Sequence, residues 1–298
     1  MSPYRLAIQL MVAQGILFAG ETAALHQIGG HASVMQLACI RAGGGVILAF
    51  VLARNLGFRV MRTQQLPLQL LRGVVSLLYL WVLIYSFAHM SFADATAISY
   101  TQTAYIAVFS VLILGEAVTA GQWAGAAVGI VGALLIAKPA FAGWNSAYLI
   151  ALFGTSLNGL AFVLNRYLQR EDGEATTLFY TNLVPLLGNA PAFLLGAMPG
   201  ADTLLWLPGV FLLGPLGMFA GIVAVRYANA SALGPYTLVR LVIAMIGGVA
   251  IFRELPDVFS LSGAVLILLS CVISSAPFIA RLQSVLRLRD VPATTLAR

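Results

Sequence analysis

Apolar runs about 20 residues long, each closed by glycine, proline or a charged residue, recur along nearly the whole chain. Within a run the apolar positions lie on every side, not on one stripe. A helix of that kind is surrounded by hydrocarbon, either a large core or lipid. A bilayer core of about 30 Å takes roughly 20 residues of helix. On that measure the pattern predicts ten spans, at residues 6–25, 33–53, 66–87, 94–114, 121–138, 146–168, 175–196, 206–228, 233–253 and 258–280. The loops between them leave no room for a soluble domain. A positive start precedes the first run, but that run is long for a signal-peptide core, so it is expected to stay as a helix.

Composition strengthens this reading. The 298 residues are 60% hydrophobic and 9% charged. A soluble domain has about 45–50% apolar and about 25% charged residues. No water-soluble fold hides this much apolar surface behind so little charge, so the chain is an all-α membrane protein with several passes. The net charge of +6 is spread over short loops and the C-terminal stretch. That distribution sets topology and argues against nucleic acid as a partner. Cys39 and Cys271 stand alone in apolar segments, with neither metal spacing nor a disulfide framework.

Loop arginines predict the orientation. With the N-terminus inside, the inner loops and ends hold Arg5, Arg54, Arg59, Arg62, Arg166, Arg170, Arg226, Arg281, Arg287, Arg289 and Arg298. The outer loops hold Lys138 and Arg253. Positive residues collect on the cytoplasmic side, so both termini are expected in the cytoplasm.

The two halves echo each other. VLILGEAVTAGQWAG (111–125) returns as VAIFRELPDVFSLSG (249–263), with Glu116 nine residues before Gly125 and Glu254 nine before Gly263. YSFAHMSFADATAISY (85–100) answers VRYANASALGPYTLVR (225–240), with Ser91 over Ser231. The expected organisation is one five-helix repeat at 6–140, a second at 146–280, and a basic cytoplasmic tail at 281–298. Five is odd, so the second repeat enters from the other face and the repeats are inverted. Glu116 then belongs to the inner surface and Glu254 to the outer, about 30 Å apart. Paired acid–base chemistry needs carboxyl groups within about 10 Å, so they are not one catalytic pair. Each is expected to serve locally, at the start of the last helix of its repeat, where a carboxylate satisfies open N–H groups.

The pattern LGE-x2-T-x3-W-x-G at 114–125, with FAHMSFADATAIS, YANASALGPYTLV and Arg41 in CIRAGGGVILA, resembles the drug/metabolite transporter superfamily, in its ten-helix EamA-type exporter branch. The second repeat departs from it, since YTNLVPLLGNA carries no counterpart of Arg41. Within that branch the chain is most similar to bacterial exporters of amino acids, aromatic ones included. The resemblance implies a secondary transporter of the bacterial inner membrane that moves a small molecule outward and needs no cofactor. Drugs or other metabolites are the alternative cargo within the superfamily.

In inverted-repeat carriers the substrate site lies near the midplane, where the repeats meet, and access alternates between the faces. Polar residues in the membrane seldom face lipid. The candidates for that cavity are Tyr79, Ser99, Gln102, Asn158, Tyr236 and Arg240, with Gln14, Glu21 and Thr155 near them. Rings, hydroxyls and amides with few fixed charges suit a small, net-neutral, amphipathic solute. Against each stands a plainer reading, that Ser, Thr and Asn bond across helices and hold the bundle together. Arg240 and Arg41 sit deep and each needs a partner or a wet path. Arg240 is either a counter-ion for a substrate carboxylate or a snorkelling side chain. Arg72, nearer the inner surface, is expected to snorkel or pack. Gly121, Gly125, Gly129 and Gly132 form a small-residue ladder that marks scaffold, and Gly263, Ser270 and Ser274 repeat it in the second half. Pro185, Pro191 and Pro215 are positioned to break or kink their helices.

Enzyme classes find no support. HExxH, GxSxG, P-loop and dinucleotide fingerprints are absent, and the three histidines are scattered. No catalytic residue and no metal ligand is therefore assigned. A channel would need a ring of like charges or a carbonyl filter, which this pattern does not obviously supply. The expected partners are a small-molecule substrate and the lipid bilayer; the oligomeric state stays open.

Overall fold

A computed structural model describes residues 3–28, 32–54, 60–89, 98–137, 146–195, 200, 203–247 and 258–274. Glu254, Asp94 and the tail 281–298 lie outside the described residues. So does the side chain of Arg240, whose backbone is helical.

The described residues are helical, with short turns between. In chain order the helices are α1 (Pro3–Ile28), α2 (Val34–Leu52), α3 (Leu66–His89), α4 (Gln102–Leu114), α5 (Ala120–Ala137), α6 (Ser146–Leu168), α7 (Glu174–Leu195) and α8 (Leu207–Tyr227). A helical turn at Ala230–Leu233 and a 3₁₀ turn at Gly234–Leu238 then lead into α9 (Val239–Gly247), and α10 covers Val258–Ile273. Segments in α1, α2, α3, α6, α7 and α8 are long and apolar enough to cross a membrane; α4, α5, α9 and α10 are shorter apolar helices. The expected span at 233–253 thus opens on a 3₁₀ turn. Pro235 has no N–H to donate, and the tighter turn accommodates that loss. Pro185, Pro191 and Pro215 end nothing: α7 runs through the first two and α8 through the third. Neighbouring helices and polar side chains make such prolines tolerable in membrane helices.

Helix ends obey local rules. Ser33 starts α2 with a capping box, its hydroxyl accepting from Gln36 N–H while Gln36 Oε1 accepts from Ser33 N–H. Thr119 and Gln122 exchange the same pair of bonds at the start of α5. Gly115 closes α4 at φ 66°, in the left-handed region. That turn lets Glu116 N–H reach back to Ser110 carbonyl at 3.1 Å.

Burial runs inside out for a water-soluble protein. On α7, Thr177, Thr181, Asn182 and Asn189 are at most 2% exposed, while Leu194 and Leu195 are 78% and 87% exposed. Leu112, Leu205 and Val258 also face outward. Lipid accepts such a surface at no cost, whereas polar groups must find partners inside the bundle.

The first five helices pack chiefly against the last five. α1 lies along α8, α2 along α7, α3 along α6 and α5 along α10. α4 leans on α6 and α1 on α9, while α2 also meets α8 and α3 meets α7. Exchanging each helix for the one five places away leaves this set unchanged: α1–α8 becomes α6–α3, and α4–α6 becomes α9–α1. Small residues allow the closest approaches. A Cβ on Gly132 would lie 2.7 Å from Gly263 carbonyl oxygen, and one on Gly263 would lie 2.5 Å from that of Gly132. A Cβ on Gly125 would lie 2.9 Å from Ser270 carbonyl oxygen. The two small-residue ladders read from the sequence therefore face each other, holding α5 to α10.

Candidate functional site

The polar stripes on α3 and α6 meet along one seam. On α3 the stripe is Arg72, Ser76, Tyr79 and Ser86, at helical spacing of four, three and seven residues. On α6 it is Thr155, Asn158 and Asn165. Tyr79 and Ser99 line one small cleft with Val82, Leu83, Ser86, Ala151, Gly154 and Thr155. The cleft has room for about one water molecule. Ser86 and Thr155 bond back to the carbonyls of Val82 and Ala151, four residues earlier. Gly154 brings α6 against Val82, and Gly159 brings it against Tyr105 of α4. Beside the cleft, the Asn158 amide donates to Gln102 Oε1, joining α6 to the first turn of α4. Four of the six residues expected in a cavity, Tyr79, Ser99, Gln102 and Asn158, thus gather where α3, α4 and α6 meet.

Tyr236 lies elsewhere. Its ring is buried among Met11, Ile106, Phe162, Val163 and Leu233. Its hydroxyl donates to Cys271 carbonyl oxygen at 3.2 Å. That bond ties the 3₁₀ turn to α10, so in this conformation the hydroxyl is committed to the scaffold. Arg240 stands in the first turn of α9, two residues into the helix.

Charged side chains elsewhere in the bundle are held by partners. Glu21 of α1 and Arg41 of α2 are paired at 2.5 Å, with the guanidinium 5.8 Å from the Phe18 ring centroid. A Cβ on Gly214 would lie 2.1 Å from Glu21 Oε1, so α8 packs directly against the pair at this glycine. Arg41 has therefore found its counter-ion within the protein. The sequence reading treated Glu21 and Arg41 separately; the missed signal is two opposite charges deep in consecutive apolar spans.

At the Leu168–Glu174 end of the bundle, Thr63 Oγ1 and Gln69 Nε2 donate to Asp172 Oδ2 at 2.6 and 2.7 Å, and Tyr180 donates to Met61 carbonyl at 2.6 Å. At the same end Arg166 donates to the carbonyls of Val225 and Arg226 at 2.7 and 2.8 Å, closing the C-terminus of α8. Arg166 Nε also lies 3.8 Å from Glu116 Oε1. Glu116 Oε2 accepts from Ser231 N–H at 3.5 Å and from its hydroxyl at 3.3 Å. The glutamate was expected to serve the start of α5. Thr119 and Gln122 occupy that start, and Glu116 reaches instead across the halves to the turn before α9.

Arg72, expected to snorkel or pack, packs. It does not snorkel: it is 5% exposed. Nε donates to Asn165 Oδ1 at 2.9 Å, and Nη1 donates to Ser76 Oγ. Its burial follows from Gly73, where a Cβ would lie 2.9 Å from Tyr180 carbonyl oxygen. α7 closes over α3 at that point, with α6 on the other side. No cluster of three or more metal-ligating side chains occurs among the described residues.

The fold finds a parallel among solved structures, and the sequence has relatives among known proteins. A solved crystal structure superimposes with a TM-score of 0.80 over 93% of this chain and 98% of the other, at 15% identity. The pseudopaline exporter of Pseudomonas aeruginosa is 25% identical over 268 residues, 89% of this chain and 94% of that one. The S-adenosylmethionine uptake transporter of Rickettsia bellii is 26% identical over 226 residues, 75% of this chain and 76% of that one. The riboflavin transporter of Brucella anthropi is 26% identical over 239 residues, 74% of this chain and 82% of that one. Residues 5–138 match the EamA-like transporter family. Apolar helices with polar interiors, this match over the first part of the chain and these relatives agree: the chain carries an EamA-like transporter domain at residues 5–138, and its relatives in the drug/metabolite transporter superfamily are membrane transporters, not enzymes.

Proposed function

We propose that this transporter exports small, net-neutral, amphipathic metabolites, amino acids with apolar or aromatic side chains foremost, across the bacterial inner membrane. The carrier is read as ten spans in two inverted five-helix repeats, with both termini cytoplasmic. Access alternates about the seam between the repeats. The observation that carries this reading is the gathering of Tyr79, Ser99, Gln102 and Asn158 where α3 and α4 of one half meet α6 of the other. A ring, two amides and hydroxyls at a junction between halves suit an amphipathic solute and a site whose two walls move apart. The symmetric set of helix pairings supports the two-repeat reading. The outward direction rests on the exporter resemblance and on the pseudopaline exporter among the relatives; two others are named for uptake or for riboflavin. A drug or another metabolite is the second reading for the same cavity.

The test is flux in proteoliposomes with a panel of unlabelled competitors at two pH values. Saturable flux, competed by apolar and aromatic amino acids, is expected. Tyr79→Ala and Asn158→Ala, each normalised to folded protein, should lower flux and change the competition profile. Competition by cationic drugs or sugar phosphates, with none by amino acids, would transfer the site to the second reading. Single-channel conductance would replace the carrier with a pore.

A further inference from the structure

Charge pairing along the bundle leaves one anomaly. Arg41, Arg166 and Arg226 each face a carboxylate: Glu21, Glu116 and Glu174. Arg72 is more deeply buried than any of these, and among the described residues it faces none. Its partners are the amide oxygen of Asn165 and the hydroxyl of Ser76. Asp172, one turn nearer the loop, spends its Oδ2 on Gln69 and Thr63. A guanidinium has five N–H donors in a planar fork. Two are met here, and the remaining three have no acceptor among the described residues. A lone cation inside a membrane protein is costly, and such residues mark substrate or ion pathways.

The surroundings show what would relieve it. From Arg72 the α3 stripe runs two turns, about 10 Å, to Tyr79 at the cleft. Between them Val75 packs with Leu157, Ala161, Leu160 and Tyr79 as an apolar wall. The seam therefore has a cation at one end, hydrocarbon along its length, and a ring and hydroxyls at the other. We propose that Arg72 is the anion-recognition group of the substrate pathway, taking the carboxylate of an amphipathic solute whose apolar body lies toward Tyr79. The assignment rests on the carrier reading above and gives its substrate a chemical handle. In the present conformation Asn165 and Ser76 act as neutral stand-ins. A carboxylate outcompetes them, because it brings the opposite charge and accepts two parallel N–H bonds from the guanidinium fork, which an amide and a hydroxyl on separate helices do not offer. An aspartate at 165 would be a permanent counter-ion and would shut the site. The cleft holds about one water as it stands, so the solute enters when α3 and α6 separate during the transport cycle.

The test uses purified full-length transporter in detergent and thermal stabilisation by three probes: L-phenylalanine, 3-phenylpropionate, which lacks the amine, and phenethylamine, which lacks the carboxylate. Both carboxylates should stabilise the wild type, and phenethylamine should do so much less. Asn165→Asp should melt at or above the wild-type temperature yet weaken the response to both carboxylates at least about tenfold. Arg72→Gln should lose the same preference and Arg72→Lys part of it. A merely structural Arg72 predicts the opposite for Asn165→Asp: a firmer protein with unchanged carboxylate binding. That result, or a folded Arg72→Gln that still prefers carboxylates, overturns the assignment. If the wild type answers to 3-phenylpropionate and not to phenylalanine, the amino-acid reading fails and Arg72 stands. If phenethylamine is as effective as phenylalanine, Arg72 fails and the amphipathic carrier stands. If none of the three stabilises the wild type, both are overturned.

Discussion

The close approach of Gly132 on α5 to Gly263 on α10 offers a quantitative test of the scaffold. A methyl group on Gly263 would stand 2.5 Å from Gly132 carbonyl oxygen and 2.7 Å from Ile136 Cγ1; one on Gly132 would stand 2.7 Å from Gly263 carbonyl oxygen. Carbon atoms in ordinary contact are about 3.5–4.0 Å apart. Backbone carbonyls cannot rotate away, so the helices must separate by roughly 0.5–1 Å. A gap of that size forfeits about a quarter to a half of the dispersion energy along the contact. Overpacking of this kind costs about 1–3 kcal/mol. Alanine returns up to about 1 kcal/mol through its better helix propensity. Gly263→Ala should therefore cost about 1–2 kcal/mol, and Gly132→Ala a similar amount. One separation relieves both clashes, so the double variant should cost less than the sum by about 0.5 kcal/mol or more. Gly43→Ala is the control. Its Cβ would meet only Leu186 Cδ1, at 3.9 Å, and stability should hold or rise. The measurement is reversible unfolding of purified protein in mixed micelles. Gly263→Ala unfolding within about 0.5 kcal/mol of wild type, or strict additivity in the double variant, would refute a packing limit at this contact.

Further perturbations probe the ionic assemblies and the topology. Glu21→Gln or Arg41→Gln leaves a poorly solvated charge without its partner and should cost about 3 kcal/mol, the lower end for a buried pair because Arg41 is partly exposed. The double variant should be more stable than either single one; equal or worse stability on thermal unfolding would mean the pair is not coupled. Glu116→Ala should lose about 1–2 kcal/mol through Ser231 and Arg166, with Glu116→Gln losing less. Transport per folded molecule should fall less than stability, and a well-folded Glu116→Gln protein with no flux would contradict the structural role. Cysteines placed at Arg62 and Gly200, both exposed, should react with impermeant reagents from opposite faces, position 62 from the cytoplasm. Labelling of both from one face would break the ten-span, cytoplasmic-termini reading.

Helix identity was legible in the sequence because lipid leaves a chain little choice. Every backbone N–H and C=O must be satisfied within the segment, so an all-round apolar run becomes a helix wherever it falls. The ladder Gly125, Gly129 and Gly132 was legible as scaffold for a similar reason, since small residues at helical spacing have one common use in lipid. Which helix would fill each groove was another matter. Lipid tails are as apolar as leucine, so hydrophobicity does not select partners. Close fit does, between residues far apart in the chain. Gly132 was visible as a contact residue, but Gly263 as its partner was not. Glu116 was visible beside the start of a helix, but its partner Ser231 stands 115 residues on, fixed by how the turn before α9 docks on α4 and α6. The need of Arg41 for a partner could be read from its depth. That Glu21 supplies it depends on α8 closing over both at Gly214. Tyr79, Ser99, Gln102 and Asn158 were recognisable as polar groups in apolar spans, and tertiary packing brought them together while sending Tyr236 to α10. Arg72 was legible as a residue near the inner surface that would snorkel or pack, but not which of the two. It is enclosed because Gly73 draws α7 onto α3 while α6 covers the other side, and burial of a charge is a property of the packed bundle rather than of a position along one helix.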